Sequence, residues 1–313
     1  MKQQRKTEYY LDLRTDYGFK RVFGEDKELL KPMLNEFLHD ILGTRITDIV
    51  LLPTELLGFT KKEKRIIFDL YCEDQSLNRI IIEMQRAGPD YYVNRTLYYM
   101  SRSISKSVKR GDMHYRMGMN LSLHLLDYRI NRFRDDSDLI RVIQLKDDKN
   151  EIFSEKVAIV LVNLCTFAAR KKQVSFPSVR HKWAYLLRNM HRMAPEDEAK
   201  ETDPVFKKLY EACRLSNLNE EDMREYRKNV LEYKDVQDAI QYAVRNASKQ
   251  SYAEGEAQGV AIGEERGEER GRQTGLAEAK RSIASEMLKK GIPLSLVSEI
   301  TGLSEAEILS LSK

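Results

Sequence analysis

The sequence is short of the residues that mark secreted and fibrous proteins: its 313 residues hold three cysteines, seven prolines and one tryptophan. Cys72, Cys165 and Cys213 show no C-x-x-C spacing, which argues against a disulfide scaffold and against a cysteine zinc site. Cys72 and Cys165 fall in apolar, strand-like runs and read as inert core residues. Long hydrophobic runs are missing too: the longest, around Val157–Leu164, is far short of a membrane span. The segment Met1 to Leu11 is polar and basic with no apolar core, so no secretory signal is expected, no membrane contact, and a cytoplasmic location. Neither sign of charge dominates, since 53 Lys and Arg face 49 acidic residues for a net +4. That balance permits nucleic acid as a partner without demanding it. The five histidines lack H-E-x-x-H spacing, and neither G-x-S-x-G nor G-x-x-x-x-G-K-[ST] occurs. Histidine-zinc chemistry, serine hydrolysis and P-loop nucleotide hydrolysis are therefore unsupported.

What is present is an α/β pattern from about Thr7 to Asn163. Apolar residues at Leu29, Leu30, Met33, Leu34, Phe37, Leu38, Ile41 and Leu42 mark one helix face over Lys27–Leu42, closed by Gly43. Pro32 inside it predicts a later start or a bend. Strand-like runs follow at Ile46–Leu52, Ile66–Cys72 and Arg79–Gln85, the last two joined by the polar stretch Glu73–Asn78. A helix over about 90–109, a strand at Met117–Leu126 and a strand pair at Leu139–Leu145 and Ile152–Leu161 complete the order. Residues 166–248 read as mostly helical.

Two acids interrupt the apolar strands. Alternation puts Ile67, Asp69 and Tyr71 on one face of the first, and Ile81, Glu83 and Gln85 on one face of the second. A carboxylate among apolar neighbours needs a counter-charge. Either a hard divalent cation or a neighbouring Arg or Lys supplies it; a cation held by Asp69 and Glu83 would suit phosphodiester hydrolysis.

Several ordered motifs then carry a resemblance. T-D-Y-G-F-K-R-V-F-G (Thr15–Gly24), P-T-E-L-L-G (Pro53–Gly58), F-D-L-Y-C-E-D (Phe68–Asp74), I-I-E-M-Q-R (Ile81–Arg86) and Y-Y-V-N-R-T-L-Y-Y (Tyr91–Tyr99) resemble the PD-(D/E)XK nuclease family transposases, close to the Rpn-type recombination-promoting nucleases. L-S-L-H-L-L-D-Y (Leu121–Tyr128), the stretch Glu232–Ala247, the glycine repeat and the T-G-L-S tail continue it. The resemblance implies a restriction-endonuclease-like core with a mixed central sheet flanked by helices, followed by a mostly helical C-terminal region. It implies Mg²⁺-dependent, or Mn²⁺-dependent, cleavage of DNA linked to recombination or mobile elements. Asp69 and Glu83 would be the metal ligands, and Gln85 stands where the wider superfamily carries a catalytic lysine. A neutral amide orients water but cannot act as a base. Glu55 is placed to be a further ligand or water-orienting acid, and Asp16 and Lys20 belong to the flanking N-terminal motif.

Groups that would hold DNA are also visible. Arg95, Arg102, Lys106 and Lys109 recur with Tyr99 along one helix stripe, opposite Val93, Leu97, Ile104 and Val108. The stretch Arg170–Arg192 carries Lys171, Lys172, Arg180 and Lys182 among its basic residues and no acid, interleaved with Phe176, Trp183 and Tyr185. Trp183 itself reads better as a core anchor. The expected division is a nuclease-like core over 1–165, a helical region over 166–250, a tether over 251–275 and a small helical tail over 276–313.

In the tether, Gly255, Gly259, Gly263, Gly267, Gly271 and Gly275 recur at every fourth residue. Each glycine costs a helix roughly 1 kcal/mol relative to Ala, so a flexible tether, helical in part or on association, is expected ahead of a specific oligomerisation helix. The tail pairs Ser304 with Glu307 in a capping-box pattern between two short helices. It has helix-turn-helix proportions but no Lys or Arg between Leu294 and Ser312, which favours protein contact, self-association included, over DNA reading. The rival to a nuclease is a DNA-binding or scaffold protein that keeps the fold and has weak or no catalysis.

Overall fold

The computed structural model describes residues 8–56, 66–86, 88, 91–108, 111–130, 138–166 and 175–310. They form two compact units, Met1–Lys234 and Asp235–Lys313.

The first unit opens with residues 8–14, where Leu11 N–H donates to the Cys213 carbonyl at 2.8 Å and Leu215 N–H to the Tyr9 carbonyl at 2.9 Å. Helix α1 (Asp16–Phe19) follows and runs into a π-turn over Lys20–Gly24. Thr15 caps α1: its hydroxyl accepts from Gly18 N–H at 2.9 Å and donates to the Asp12 carbonyl at 2.6 Å. A Cβ on Gly18 would stand 2.4 Å from that carbonyl oxygen, so the turn requires glycine. Helix α2 (Lys27–Leu42) is capped by Asp26 and ends on Gly43 in the left-handed region. It passes through Pro32 instead of starting there, and its apolar stripe is buried.

A six-stranded mixed sheet is the frame, ordered β1-β4-β5-β6-β8-β7. Its strands are β1 (Ile49–Leu51), β4 (Leu70–Asp74), β5 (Arg79–Gln85), β6 (Asn120–Leu126), β7 (Ile140–Lys146) and β8 (Ile152–Asn163). β1, β4 and β5 are antiparallel; β5, β6 and β8 are parallel; β7 returns antiparallel to β8. A separate two-stranded sheet pairs β2 (Glu55–Leu56) with β3 (Ile66–Ile67). In the β4–β5 hairpin Asp74 accepts from Ser76 N–H at 2.8 Å, Asn78 N–H at 2.9 Å and the Asn78 amide at 2.8 Å.

Ile80, Ile82 and Met84 face one side of the sheet, where α2 packs with α4 (Val179–Asn189) and α6 (Pro204–Ala212) in the main core. Trp183 is buried there with Phe206 at 5.0 Å between ring centroids, the anchor its apolar setting predicts. The other side takes α3 (Tyr92–Ser107), whose Met100 packs with Phe68, Tyr71 and Ile81.

Several expectations need correction. The strand expected over Ile66–Cys72 is broken at Phe68–Asp69, because Phe68 N–H bonds to Thr54 while Leu52 N–H bonds to Tyr71, so the chain changes partner there. The α3 stripe is turned from its expected position: Leu97 is exposed, while Thr96, Arg102 and Ser103 are buried. A buried hydrogen-bond chain explains it, since Ser103 Oγ lies 3.0 Å from the Tyr71 hydroxyl and donates to Asn120 Oδ1 at 2.9 Å. Cys165 lies half-buried in a short 3-10 turn after β8, not in the strand.

Helix α7 (Glu220–Lys289) begins in the first unit, where Asp12 N–H donates to the Tyr226 hydroxyl at 2.9 Å and Tyr17 N–H to Asn229 Oδ1 at 3.2 Å. Its continuation includes the glycine repeat, so the stretch expected as a tether, helical in part or on association, is helical, and nothing beyond the adjacent helix backbone lies within 4 Å of where a Cβ would stand on any of the six glycines. The Glu, Ala, Gln and Arg residues between them are good helix formers. In the second unit α8 (Leu294–Thr301) and α9 (Glu305–Ser310) close on Ala284, Val297 and Ile308. The expected capping box is present, with Ser304 N–H donating to Glu307 Oε2 at 2.9 Å and Glu307 N–H to Ser304 Oγ at 3.3 Å. Among the described residues no helix is long and apolar enough to cross a membrane.

Candidate nuclease site

The site forms where the chain bends into β4 and β5 ends. Asp69 occupies the bend, and its Oδ2 accepts from Met84 N–H at 2.7 Å, continuing the strand ladder through a side chain. Glu83 is buried on the α3 face of β5 and lies across from His124 in the parallel register. Its Oε2 accepts from the Gln85 amide at 2.9 Å, as their shared strand face predicts. The two acids act on each other electrostatically, and the charges of Arg95 and Lys20 act on both.

Burial raises both carboxyls. Asp69 is pushed up to about 6 by desolvation, with Asp16 adding to the rise against the pull of Met84 N–H, Lys20 and Arg95. Glu83 is held well above the carboxylate range by desolvation and then by Asp69. Glu83 Oε1 is enclosed and accepts no hydrogen bond. A buried acceptor and two acids that resist ionising together are the environment a cation would relieve. Among the described residues no third His, Cys, Asp or Glu completes a ligand cluster with them. A magnesium-type ion accepts that, since it usually keeps several waters and takes one or two carboxylates. The pair therefore fits a divalent cation.

Three flanking residues reach this pair. Asp16 and Lys20, an ion pair at 2.7 Å on the partly exposed turn of α1, both act electrostatically on Asp69. Arg95, from the first turn of α3, donates to Gln85 Oε1 and draws down both Asp69 and Glu83. Glu55 is exposed on β2, across from Ile67, which precedes Asp69 by two residues. His124 Nε2 lies 2.8 Å from the Ser122 hydroxyl, and burial pulls its pKa to about 3, so the ring stays neutral.

The residues expected to hold DNA divide. Lys106 is exposed on α3, while Arg102 on the same helix is buried. Arg180 pairs with Asp40 at 2.8 Å, and Lys182 pairs with Glu201 at 2.7 Å while lying 4.1 Å over the Phe206 ring. Both serve the packing of α4. Lys109, Lys171 and Lys172 lie outside the described residues.

A second charged cluster, missed by sequence reasoning, adjoins the first. Arg14 bonds to Asp12 through Nε at 2.9 Å and NH2 at 2.8 Å, and to Asp127 at 2.8 Å; Arg188 meets Asp127 at 2.7 Å. Burial alone would raise Asp12, but the bonds and charge of Arg14 carry it below its ordinary value. Asp127 N–H donates to the Gln85 carbonyl at 2.8 Å, tying this cluster to the end of β5. The signal for it lies in L-L-D, where an acid directly follows a buried strand.

With this geometry in place, comparison with known families decides the assignment. Residues 13–243 match the family model for PD-(D/E)XK nuclease family transposases. The chain belongs to that family. Residues 277–313 match the C-terminal helix-turn-helix domain of the Rpn/YhgA-like nuclease family, in agreement with the α8–α9 arrangement. No curated protein and no solved structure matches the chain. The mixed sheet flanked by helices agrees with a PD-(D/E)XK nuclease fold. Nucleases of this family generally use divalent metals, and the helix-turn-helix domain points to DNA as a partner, against the protein-contact role expected for the tail from its lack of Lys and Arg.

Proposed function

We propose that this PD-(D/E)XK protein is a Mg²⁺-dependent endonuclease that hydrolyses DNA phosphodiester bonds, with recombination or mobile-element DNA as its setting. One observation carries the reading: Asp69 and Glu83 are brought together in a buried site that raises both pKa values and leaves Glu83 Oε1 without a donor. The two carboxylates would hold the cation, which when bound supplies charge for the scissile phosphate and activates water. Gln85, fixed between Glu83 and Arg95, orients that water through its amide. Arg95 brings the positive charge that Gln85 lacks, at the same side of the site. Asp16 and Lys20 stand at the partly exposed mouth, and Lys106 offers a surface contact to phosphate further along α3. Glu55 is the weaker candidate for a water-orienting acid. A cytoplasmic setting completes the proposal.

The rival reading, a DNA-binding protein with the fold and little catalysis, draws on the neutral Gln85. Supercoiled plasmid incubated with the full chain separates the two. The nuclease reading expects nicking in Mg²⁺ or Mn²⁺, none in EDTA, and none in Asp69→Ala or Glu83→Ala. Salt-dependent binding without nicking, or nicking undiminished in both variants, would overturn it. Parallel assays on RNA establish the sugar preference.

A further inference from the structure

Arg86 follows Gln85 directly, closing the I-I-E-M-Q-R motif, and the machinery described so far does not use it. Its guanidinium is mostly enclosed, and NH2 has no hydrogen-bond partner. Among the described residues no ion pair reaches its side chain. The acid nearest in electrostatic effect, Asp12, is already gripped by two nitrogens of Arg14, at 2.9 and 2.8 Å. What does meet Arg86 is the ring of Tyr233 on α7, with 4.4 Å from the guanidinium carbon to the ring centroid. The Arg14 guanidinium approaches the same ring at 5.4 Å. Two cations thus approach one aromatic ring, and among the described residues only Arg14 of the two is paired with carboxylates.

A buried guanidinium nitrogen without an acceptor is unfavourable, and a neutral side chain in its place would remove that cost. The arrangement makes sense when an anion completes it. Arg86 stands one residue from Gln85, and Asp16, which acts on Asp69, also acts on Arg86. Arg86 thus leaves the same end of β5 at which Glu83 and Gln85 sit, where a phosphate neighbouring the scissile one would pass. A planar fork of donors suits phosphate oxygens.

We propose that Arg86 is a second phosphate-binding residue, covered by Tyr233 when no nucleic acid is bound, and that it takes a backbone phosphate beside the one cleaved. This rests on the reading of the protein as a nucleic-acid-cleaving enzyme, and it adds a binding contact that cleavage alone would not reveal. Tyr233 is half-buried, so displacement of one ring opens the guanidinium.

The test is binding, measured apart from cleavage. In the full chain carrying Asp69→Ala, affinity for a short DNA duplex is followed as a function of salt by fluorescence anisotropy. Arg86→Gln is expected to weaken binding roughly tenfold at low salt and to make the slope of log K against log salt shallower by about 0.9, the loss of one phosphate contact. Arg86→Lys restores the slope. The Arg86→Gln melting temperature holds or rises, which separates a phosphate contact from a structural role. Tyr233→Ala tightens binding at least about twofold with Arg86 present and leaves the Arg86→Gln variant unchanged. An unchanged slope in folded Arg86→Gln protein overturns the proposal, and so does an equal effect of Tyr233→Ala with and without Arg86. If wild-type protein fails to nick plasmid while the Arg86 slope change persists, the nuclease reading falls and the phosphate contact stands. If nicking occurs and the slope is unmoved, the phosphate contact falls alone.

Discussion

Asp69→Asn removes one charge from the acid pair while keeping an oxygen for Met84 N–H, which donates to Asp69 Oδ2 at 2.7 Å. In the folded protein burial raises this carboxyl to about 6, whereas the unfolded chain titrates near 3.9. Below about pH 4 both states are protonated and the group is neutral toward stability. As pH rises through the unfolded value, the unfolded chain releases its proton first. The folded state then carries a growing penalty, complete above about pH 6. A shift of about two units corresponds to about 3 kcal/mol. With part of that absorbed by relaxation around Glu83, the Asn variant should be more stable than wild type by about 2–3 kcal/mol at pH 7.5 in EDTA. Urea unfolding followed by circular dichroism at pH 4 and pH 7.5 measures it directly. The advantage should shrink to about 0.5 kcal/mol or less at pH 4, and added Mg²⁺ should stabilise the wild type but not the variant. A variant no more stable than wild type at pH 7.5, or a difference independent of pH, refutes the claim that Asp69 is held against its own ionisation.

Three further outcomes follow from the geometry. Arg95→Ala should slow plasmid cleavage by roughly 10²-fold through loss of the charge beside Gln85, with Arg95→Lys recovering part of the rate and circular dichroism showing both variants folded. Arg14→Met should lower unfolding free energy by about 3–5 kcal/mol in denaturant titrations, because Asp12 and Asp127 lose the cation that both contact. Gly18→Ala places a Cβ 2.4 Å from the Asp12 carbonyl oxygen; a loss of roughly 1–3 kcal/mol is expected in thermal melts, together with slower cleavage as Asp16 and Lys20 shift.

Much of this site could be read from spacing, and the rest could not, for identifiable reasons. Alternation along Arg79–Gln85 placed Glu83 and Gln85 on one face, and the structure joins them by a hydrogen bond at 2.9 Å. The helix over Lys27–Leu42 was equally legible, because a capping acid, an apolar stripe and a terminal glycine agree. The bend at Asp69 was not, since it depends on Phe68 and Leu52 finding different partners across the chain. Arg180 and Lys182 looked like a nucleic-acid surface because their own stretch lacks acids; Asp40 and Glu201 lie outside it. The inward face of α3 was misjudged for the converse reason. Polar side chains are buried there because Tyr71 and Asn120 satisfy Ser103. Arg86 carries no local mark of its isolation, which appears only once Arg14 is seen to hold Asp12.

The most direct test of the acid pair as a cation site is Mn²⁺ or Mg²⁺ binding by isothermal titration calorimetry, run at pH 6 in buffers of different ionisation enthalpy. Wild-type protein should bind at a single site that Asp69→Asn and Glu83→Gln each abolish. Binding should release protons, because raised carboxyls must ionise to take the metal. Metal binding that survives in both variants, or a folded wild-type protein that binds neither ion, would contradict the account.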